Sequence, residues 1–452
     1  MLTELSVTNF KSWKQISRMR LAPITGLFGT NSSGKTSILQ LLLMLKQTAE
    51  SADRAQSLAL GDEKSLVDLG SFSEVVFAHA DANTVAWRIG WDYSRLYSLT
   101  GPDDVSHPLF LGRQMAHEAD ISQGRMGRPV VDRMAYEFAE MKGPIRFALT
   151  RKPDVGSPHR LESEGLGFKF EPVSGRSLDL PAPVKCYGFP DQVKAAYRNA
   201  GFLADLELAF EELFGRLHYL GPLRDPPRRA YPWAGAQPTD MGRRGERVVD
   251  ALLATREAEA DDEGEPSPEL HVARWLQELG MLHEFRVEPI AKGENYYKVL
   301  VRKNPQSAEV LLPDVGFGVS QILPVITLCY YVPKGSTILL EQPEIHLHPS
   351  VQAGLADVFI DAAEKRNVQI IVESHSEHLL RRLQRRMAEG KTTPERTALY
   401  FCEMSDGESH LRELDIDRYG RIANWPDGFF GDEFEEMAAT VTEAIKRQAE
   451  GR

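Results

Sequence analysis

An eight-residue segment, Gly-Thr-Asn-Ser-Ser-Gly-Lys-Thr at positions 29–36, leaves few folds open to this chain. It matches the pattern G-x-x-x-x-G-K-[ST] in full. An apolar run, LAPITGLFG, leads into it, and a strongly apolar helical pattern, TSILQLLLMLKQTAE, follows. Glycines let backbone N–H groups close around phosphate oxygens, and the N-terminus of a helix adds positive charge. The strand, loop and helix together therefore predict a nucleotide-binding α/β fold.

The loop also assigns roles to individual side chains. Lys35 is expected to reach the β and γ phosphates of ATP, and the Thr36 hydroxyl is expected to coordinate Mg²⁺. ATP and Mg²⁺ are therefore the predicted substrate and cofactor. The candidate nucleotide-binding residues of the loop are Asn31, Gly34, Lys35, Thr36 and Ser37.

Composition narrows the class of protein further. A chain of 452 residues with 53 basic and 65 acidic side chains has room for two or three domains and a net charge of −12. That charge disfavours general nucleic-acid binding, although a local basic groove stays open. The cysteines have no paired spacing, which argues against disulfides and suits a reducing cytosol. They are Cys186, Cys329 and Cys402.

No segment has the pattern of a membrane span. The N-terminus lacks the apolar core of a secretory signal. The apolar run at 322–332 is interrupted by Pro324 and falls short of the roughly 20 residues that span a bilayer. The sequence predicts a cytoplasmic protein with no membrane partner.

A second strand supplies a carboxylate for the metal. The segment STILLEQPEIHLHP at 336–349 reads as a buried strand that ends in Glu341, a candidate to hold Mg²⁺ beside the phosphates. The segment VQIIVES reads as another buried strand, with His375 just beyond its end. That imidazole is a candidate donor to the γ phosphate, and the alternative is a capping or core histidine.

A second anion-binding helix start is predicted upstream of this strand. Gly316, Gly318 and Ser320 precede a helix-like run, and Pro324 lies about one turn into it, where a missing N–H is tolerated. The alternative reading is an ordinary helix-capping loop.

These elements, in this order, resemble ATPases of the ATP-binding-cassette (ABC) type. The segments LSVTNFKSW, FGTNSSGKTSIL, YLGPLRDPPRRAYP, EQPEIHLHP and VESHSEHLL look like the RecF/OLD (overcoming lysogenization defect) branch of AAA ATPases. The ending GRIANWPDGFF looks like a short C-terminal domain of unknown function that some of them carry. The resemblance leaves about 100–210 uncovered, and the signature loop departs from the commoner Leu-Ser-Gly-Gly-Gln.

The resemblance implies an α/β fold with an ABC-type P-loop core, a mixed sheet, a helical or β insertion and no Toprim domain. It implies a head-to-tail dimer in which ATP lies between the phosphate loop of one copy and the signature loop of the other. In that dimer Gly318 or Ser320 would contact the nucleotide in trans, with Ser320 capping the γ phosphate. Thr36 and Glu341 would hold Mg²⁺, and His375 would sense the γ phosphate.

The predicted domains follow from the same reading. Residues 1–100 and 212–405 form a discontinuous ATPase core, 101–211 an insertion or lid, and 406–452 a small C-terminal domain. Sequence from about 99 to 129 has little periodicity and is interpreted as loop or insertion. An acidic segment, EAEADDEGEPSPE, is interpreted as a linker.

Gln342 stands where the family pattern has a glutamate that activates the attacking water. An amide cannot accept that proton, so general-base help worth roughly 10²- to 10⁴-fold is missing unless another group supplies it. Glutamine can still orient water, and hydrolysis would then be slow. Alternatively Glu344 or His346 acts as the base, or Gln342 only caps the strand. The catalytic candidates are Glu341, Gln342, Glu344 and His375.

Two other metal-dependent readings are less favoured. A zinc cluster could be drawn from four histidines, but the resemblance already gives several of them other positions. An acidic nuclease site could be drawn from Asp415 and Asp417, but too few residues follow for a Toprim fold, and Asp-Arg-Tyr-Gly reads as a hairpin turn. The four histidines are His346, His348, His375 and His378.

The sequence thus predicts a slow ATPase that dimerises on ATP and regulates an effector protein encoded nearby, in bacterial anti-phage defence. The alternative is a RecF-like protein that binds DNA in an ATP-dependent manner, and DNA or RNA stays a possible partner. The basic segments PLRDPPRRAYP, MGRRGER and RRLQRRMAEG could serve nucleotide, nucleic acid or a partner subunit, or could be solvated surface charge.

Overall fold

The computed structural model describes residues 1–80, 84–100, 108–152, 158–176, 179–258, 266–293, 295–426 and 442. Within these ranges the strands are β1 (Leu2–Phe10), β2 (Trp13–Arg20), β3 (Ile24–Gly29), β4 (Val85–Leu99), β5 (Phe110–Gln123), β6 (Pro129–Glu140), β7 (Gly143–Arg151), β8 (His159–Glu164), β9 (Leu217–Leu220), β10 (Tyr231–Pro232), β11 (Glu284–Pro289), β12 (Tyr296–Arg302), β13 (Val310–Leu311), β14 (Thr337–Glu341), β15 (Gln369–Glu373), β16 (Thr397–Ser405) and β17 (Glu408–Glu413). The α-helices are α1 (Lys35–Glu50), α2 (Phe72–Val75), α3 (Gln192–Ala196), α4 (Leu203–Gly215), α5 (Val248–Ala258), α6 (Pro268–Glu278), α7 (Phe317–Tyr331), α8 (Pro349–Arg366) and α9 (Glu377–Ala388).

One sheet carries both predicted nucleotide-binding strands. Its order is β17-β16-β3-β15-β14-β9, with parallel pairing everywhere except between β16 and β17. The central strands β3, β14 and β15 are buried along their whole length, which is why each reads as a continuous apolar run. The carboxyl ends of parallel strands meet at one edge of a sheet, where ligands bind. The predicted fold class, α/β with a P-loop core and a mixed sheet, is confirmed.

A second sheet is antiparallel, in the order β2-β1-β4-β5-β6-β7-β8. It corrects the interpretation of 99–129 as loop, because β5 occupies fourteen residues of that segment. The strand was missed because its outward face is polar. On that face Glu118 pairs with Arg88 of β4 and with Arg133 of β6, so the charges satisfy one another across strands. The domain boundaries proposed from the sequence stay a prediction.

The remaining elements cover the parallel sheet. A small sheet of β10, β12 and β11, with β13 paired to β12, adjoins α5, α6 and α7. The segment DQVKAAYRNAGFLADLELAFEELFGRL forms α3 and α4. Of the predicted acidic linker, 259–265 lie outside the described residues, as do 427–441 and 443–452 of the predicted C-terminal domain.

Helix α1 lies between the two large sheets. Its side chains Leu39, Leu42 and Leu45 are fully buried in a hydrophobic cluster that also contains residues of β1, β4 and β5. A separate cluster on the other side of the parallel sheet gathers α7 and α8 around β14 and β15. The phosphate loop therefore joins a buried strand to a buried helix, and both of its ends are held in place.

Burial of one acidic side chain gives a pH-dependent stability that is independent of nucleotide. Glu207 of α4 accepts a hydrogen bond from the Phe189 N–H at 2.6 Å, and burial raises the pKa of its carboxyl to about 7. Between the ordinary carboxyl pKa and about 7, the folded state binds more protons than the unfolded state, so the free energy of unfolding falls as pH rises.

We therefore expect Glu207→Gln to leave stability near wild type at pH 5 and to raise it at pH 8, by on the order of 1–3 kcal/mol. Urea unfolding at the two pH values measures this. Glu212→Gln changes an exposed carboxylate on the same helix and serves as the control. Equal shifts in both variants at pH 8 would contradict the assignment.

Candidate nucleotide-binding site

The glycine before Lys35 is enclosed by two hairpins. Gly34 precedes α1 with a φ of 87°, and its carbonyl accepts a hydrogen bond from the Trp13 indole N–H at 2.9 Å. A Cβ at this position would lie 2.5 Å from the Ser409 Oγ and 2.7 Å from the Ser12 Oγ. Only glycine fits, because both the backbone conformation and the surrounding space exclude a side chain. The β1–β2 and β16–β17 hairpins thus hold the start of α1.

Lys35 lies against the loop itself. It is 3% exposed, and its Nζ donates to the carbonyl oxygens of Gly29 at 3.1 Å and Thr30 at 2.6 Å and to the Ser33 Oγ at 3.3 Å. Burial lowers the pKa of Lys35, and the strongest opposing charge is that of Glu373. Phosphate oxygens of a bound nucleotide would accept hydrogen bonds from this same Nζ.

The two in-register acids at the ends of β14 and β15 have different partners. Glu341 pairs with Glu373 across the strands, and its Oε1 accepts a hydrogen bond from the Tyr219 hydroxyl at 2.9 Å. Burial raises the pKa of Glu341 to about 7, and the Glu373 charge adds to that rise. The Thr36 hydroxyl donates instead to Glu373, at 3.0 Å. Strand β15 separates β3 from β14, so Glu373 is the acid nearer the phosphate loop.

Glu344 and His375 are joined through the backbone. The Glu344 Oε1 accepts a hydrogen bond from the His375 N–H at 2.6 Å, and its other oxygen is buried without a hydrogen-bond partner in the described part of the chain. Burial raises the pKa of Glu344. Burial and the charge of Lys35 lower the pKa of His375, so its imidazole is held neutral. The structure thus brings the catalytic candidates Glu341, Glu344 and His375 to one edge of the sheet.

Gln342 begins a strained loop. Its φ is 43°, and its N–H extends the pairing with β15 by donating to the Glu373 carbonyl at 2.8 Å. Burial raises the pKa of Glu373, and the Thr36 hydroxyl, the Lys35 charge and the Gln342 side chain oppose that rise in decreasing order. His346 in the same loop also has a positive φ, 63°. Two non-glycine residues in this conformation cost free energy that the surrounding contacts must offset.

The segment from Gly316 to Ser320, the candidate signature segment, lies beside this loop. Gly316 precedes α7, and the Ser320 hydroxyl donates to the Phe317 carbonyl at 2.7 Å. Phe317 is 53% exposed and its ring packs edge-on against that of His346, with centroids 5.3 Å apart. A Cβ on Gly318 would meet the His346 carbonyl oxygen at 3.7 Å. Within the described ranges, neither candidate of this segment hydrogen-bonds the phosphate loop of its own chain.

Sequence reasoning missed two residues of the site. Arg224 follows β9 and is 7% exposed, yet its Nε and Nη1 have no hydrogen-bond partner in the described ranges. Its charge faces Tyr219, Glu341 and Glu344, and burial lowers its pKa to about 10. The signal was present in YLGPLRDPPRRAYP, where Arg224 is the first charged residue after a buried strand. The other missed residue, Glu373, ends the strand in VQIIVES.

The four histidines and the Asp415–Asp417 pair are the alternative metal-site candidates. No group of three or more His, Cys, Asp or Glu among the described residues is placed to hold a metal ion. His348 caps α8, where its ring nitrogen accepts from the Ser350 N–H at 3.3 Å. The Asp417 Oδ1 accepts from the Tyr419 and Arg421 N–H groups, at 2.8 and 2.9 Å. These contacts fit the hairpin turn predicted for Asp-Arg-Tyr-Gly.

Three family models match parts of the chain. Residues 209–381 match "AAA domain, putative AbiEii toxin, Type IV TA system", and 1–86 match "AAA ATPase domain". Residues 393–439 match a protein family of unknown function, DUF3696. Comparison with curated proteins gave no match. The two ATPase descriptions, with the phosphate loop at the start of α1, support an ATPase that binds and hydrolyses ATP.

Similar solved structures include SMC heads. One, bound to the C-winged helix domain of ScpA, has a TM-score of 0.46 at 11% identity, covering 91% of this chain and 97% of that one. The SMC head domain from Thermotoga maritima has a TM-score of 0.42 at 11% identity, covering 92% of this chain and 99% of that one. A third structure is an SMC head with an extended coiled coil, bound to the C-terminal domain of ScpA derived from Pyrococcus furiosus. Its TM-score is 0.42 at 10% identity, and the match covers 98% of this chain and 99% of that one.

A search of the described helices found none with the length and apolar character that a membrane crossing requires.

Proposed function

We propose that this chain is a cytoplasmic, slowly hydrolysing ATPase that forms a head-to-tail dimer on ATP and regulates an effector protein. The observation that carries the proposal is the convergence of Lys35, Thr36 and three buried carboxylates at one edge of the parallel sheet. Such a site has the charge and the donors that phosphoryl transfer to water requires.

The residues present fit Mg²⁺. The Thr36 hydroxyl lies 3.0 Å from an oxygen of the buried Glu373 carboxylate. The other oxygen of that carboxylate has no hydrogen-bond partner within the described ranges. Mg²⁺ is usually held by one or two carboxylates together with substrate phosphates and water, so an all-protein cage is not needed. The ion would neutralise charge on the β and γ phosphates. Thr36 and Glu341 are the proposed magnesium residues, and Asn31, Gly34, Lys35 and Ser37 would bind phosphate.

A second copy of the chain would complete the site. Phe317 exposes half of its ring next to the signature segment, on a surface that includes the strained loop after Glu341. We propose that this surface faces the nucleotide of the other copy, so that Gly318 or Ser320 contacts the γ phosphate in trans. His375, beside the phosphate loop, would register whether that phosphate is present.

The proposed effector and biological setting draw on one family description. The family description matched by 209–381 names a putative toxin of a type IV toxin–antitoxin system. A nucleotide-held dimer that controls an effector in anti-phage defence is compatible with that description. The effector would be a protein encoded nearby.

DNA binding by α9 has less support. Its four arginines pair with acids: Arg381 with Glu377, Arg382 and Arg386 with Asp357, and Arg385 with Glu389. Arginines that already form ion pairs neutralise fewer DNA phosphates, so fewer counterions leave the DNA when the protein binds. ATP-dependent DNA retention that weakens steeply with salt would favour the RecF-like alternative.

Single-turnover hydrolysis with light scattering tests the proposal. We expect wild type to dimerise with ATP and to hydrolyse it slowly, and Gln342→Glu to hydrolyse it about tenfold faster or more, because a carboxylate can take the proton of the attacking water. The dimer of the variant should be shorter-lived. Wild-type protein that neither binds nor hydrolyses ATP would refute the function. A variant no faster than wild type would show that another group activates the attacking water. Glu344 would then be the next residue to substitute.

A further inference from the structure

Glu373 lies in a position that the predicted magnesium pair does not explain. It is 3% exposed, and its Oε1 accepts the hydrogen bond of the Thr36 hydroxyl at 3.0 Å. Glu341, the expected partner of Thr36, instead accepts from Tyr219. The hydroxyl predicted to coordinate magnesium therefore already donates to a carboxylate on β15, the strand next to β3.

The second oxygen of Glu373 has no assigned role in the fold. Oε2 is buried and makes no hydrogen bond within the described ranges. A buried carboxylate oxygen without a donor is costly, so its retention calls for a ligand that supplies positive charge. The charge of Lys35 opposes the rise in the pKa of Glu373 that burial causes, but its Nζ donates to loop oxygens and forms no ion pair with Glu373 in the described part of the chain.

The sheet places a second carboxylate beside it. Glu341 and Glu373 are register partners on neighbouring parallel strands, so their side chains leave the same face of the sheet, about 4.8 Å apart at the backbone. Two adjacent carboxylates and one hydroxyl, next to a phosphate loop, match the small number of oxygen ligands that a nucleotide-bound Mg²⁺ takes from protein.

We propose that Glu373 shares the magnesium shell of the nucleotide site with Thr36 and Glu341. This inference rests on the proposed function, since magnesium enters the site with ATP. It makes β15, rather than β14 alone, a source of metal-binding carboxylate. The role of Gln342 then includes holding β15 at Glu373, through the hydrogen bond from its backbone N–H to the Glu373 carbonyl.

Magnesium titration of nucleotide binding tests this without relying on hydrolysis. A fluorescent ATP analogue is bound to the protein in EDTA, and MgCl₂ is then added until affinity reaches its limit. We expect Glu373→Gln to raise the magnesium midpoint roughly 10- to 100-fold. Its affinity in EDTA should equal or exceed that of wild type, because one negative charge near the phosphates is removed. Glu373→Asp keeps the charge and should give an intermediate midpoint.

The matched control is Glu207→Gln, which removes a partly buried carboxylate outside the nucleotide site and should leave the midpoint unchanged. Thermal unfolding of each variant shows whether it is folded. A Glu373→Gln midpoint within about twofold of wild type, in protein that binds the analogue magnesium-dependently, overturns the inference and leaves the proposed function standing. Wild-type protein that binds no nucleotide overturns both.

Discussion

Lys35→Ala is expected to lower the single-turnover rate of ATP hydrolysis by roughly 10²- to 10³-fold, as loss of one preorganised charged donor does in other active sites. In this chain the Nζ of Lys35 is buried against the Gly29 and Thr30 carbonyls, where phosphate oxygens would meet it with little competition from water. ATP affinity should fall as well, because both ground state and transition state lose the same charge. Rapid-quench hydrolysis and analogue binding measure the two effects.

A second buried lysine supplies the control. Lys185 binds the Ala49 and Ser51 carbonyls at the opposite end of α1, at 2.9 and 2.7 Å. Lys185→Ala removes a comparable set of hydrogen bonds from the same helix without touching the phosphate loop. We expect it to change the urea midpoint and to leave hydrolysis near wild type. A comparable loss of hydrolysis in both variants would mean that α1 had moved, and the catalytic assignment of Lys35 would fail.

Gly29→Ala is expected to reduce the free energy of unfolding on the order of 2–6 kcal/mol, because it combines backbone strain with a steric clash. Gly29 has a φ of 137°, and a Cβ there would lie 2.0 Å from the Cys402 carbonyl oxygen on the neighbouring strand β16. That oxygen belongs to a paired strand and cannot move without opening the sheet. Urea unfolding of the nucleotide-free protein measures the loss.

Gly390→Ala separates the two causes. Gly390 follows α9 with a φ of 69°, and no heavy atom lies within 4 Å of where its Cβ would stand. This variant carries strain alone, so we expect a loss of about 1 kcal/mol. If the two variants were destabilised equally, the contact with Cys402 would not be rigid, and the loop would be less constrained than the structure indicates.

Local patterns were sufficient for the elements that hold the phosphate loop. The glycines and the apolar flanks of 29–36 predicted a strand, a loop and a helix, since each signal lies within a few residues of the structure it specifies. The apolar runs that end in Glu341 and Glu373 predicted buried strands in the same way. The assignments of individual nucleotide contacts stay predictions.

Strand order could not be predicted in this way. Nothing near Glu373 in the sequence indicates that β15 lies between β3 and β14, because sheet neighbours are set by contacts between distant segments. That order decides which carboxylate meets Thr36. Arg224 was missed for a related reason, since two of the acids that its charge faces, Glu341 and Glu344, lie more than a hundred residues away in the sequence. Strand β5 was missed because its outward charges are balanced only across strands.

The enclosure of Gly34 has a thermodynamic consequence. The Ser409 hydroxyl hydrogen-bonds that of Ser12 at 2.7 Å beside this glycine, so the hairpin that leads into the C-terminal segment meets the nucleotide loop there. A protein that binds the β16–β17 hairpin and displaces it would alter the affinity of the loop for ATP. Linkage is reciprocal, so ATP would alter the affinity for that protein by the same factor. Binding of another protein to this hairpin would therefore depend on whether the loop holds ATP.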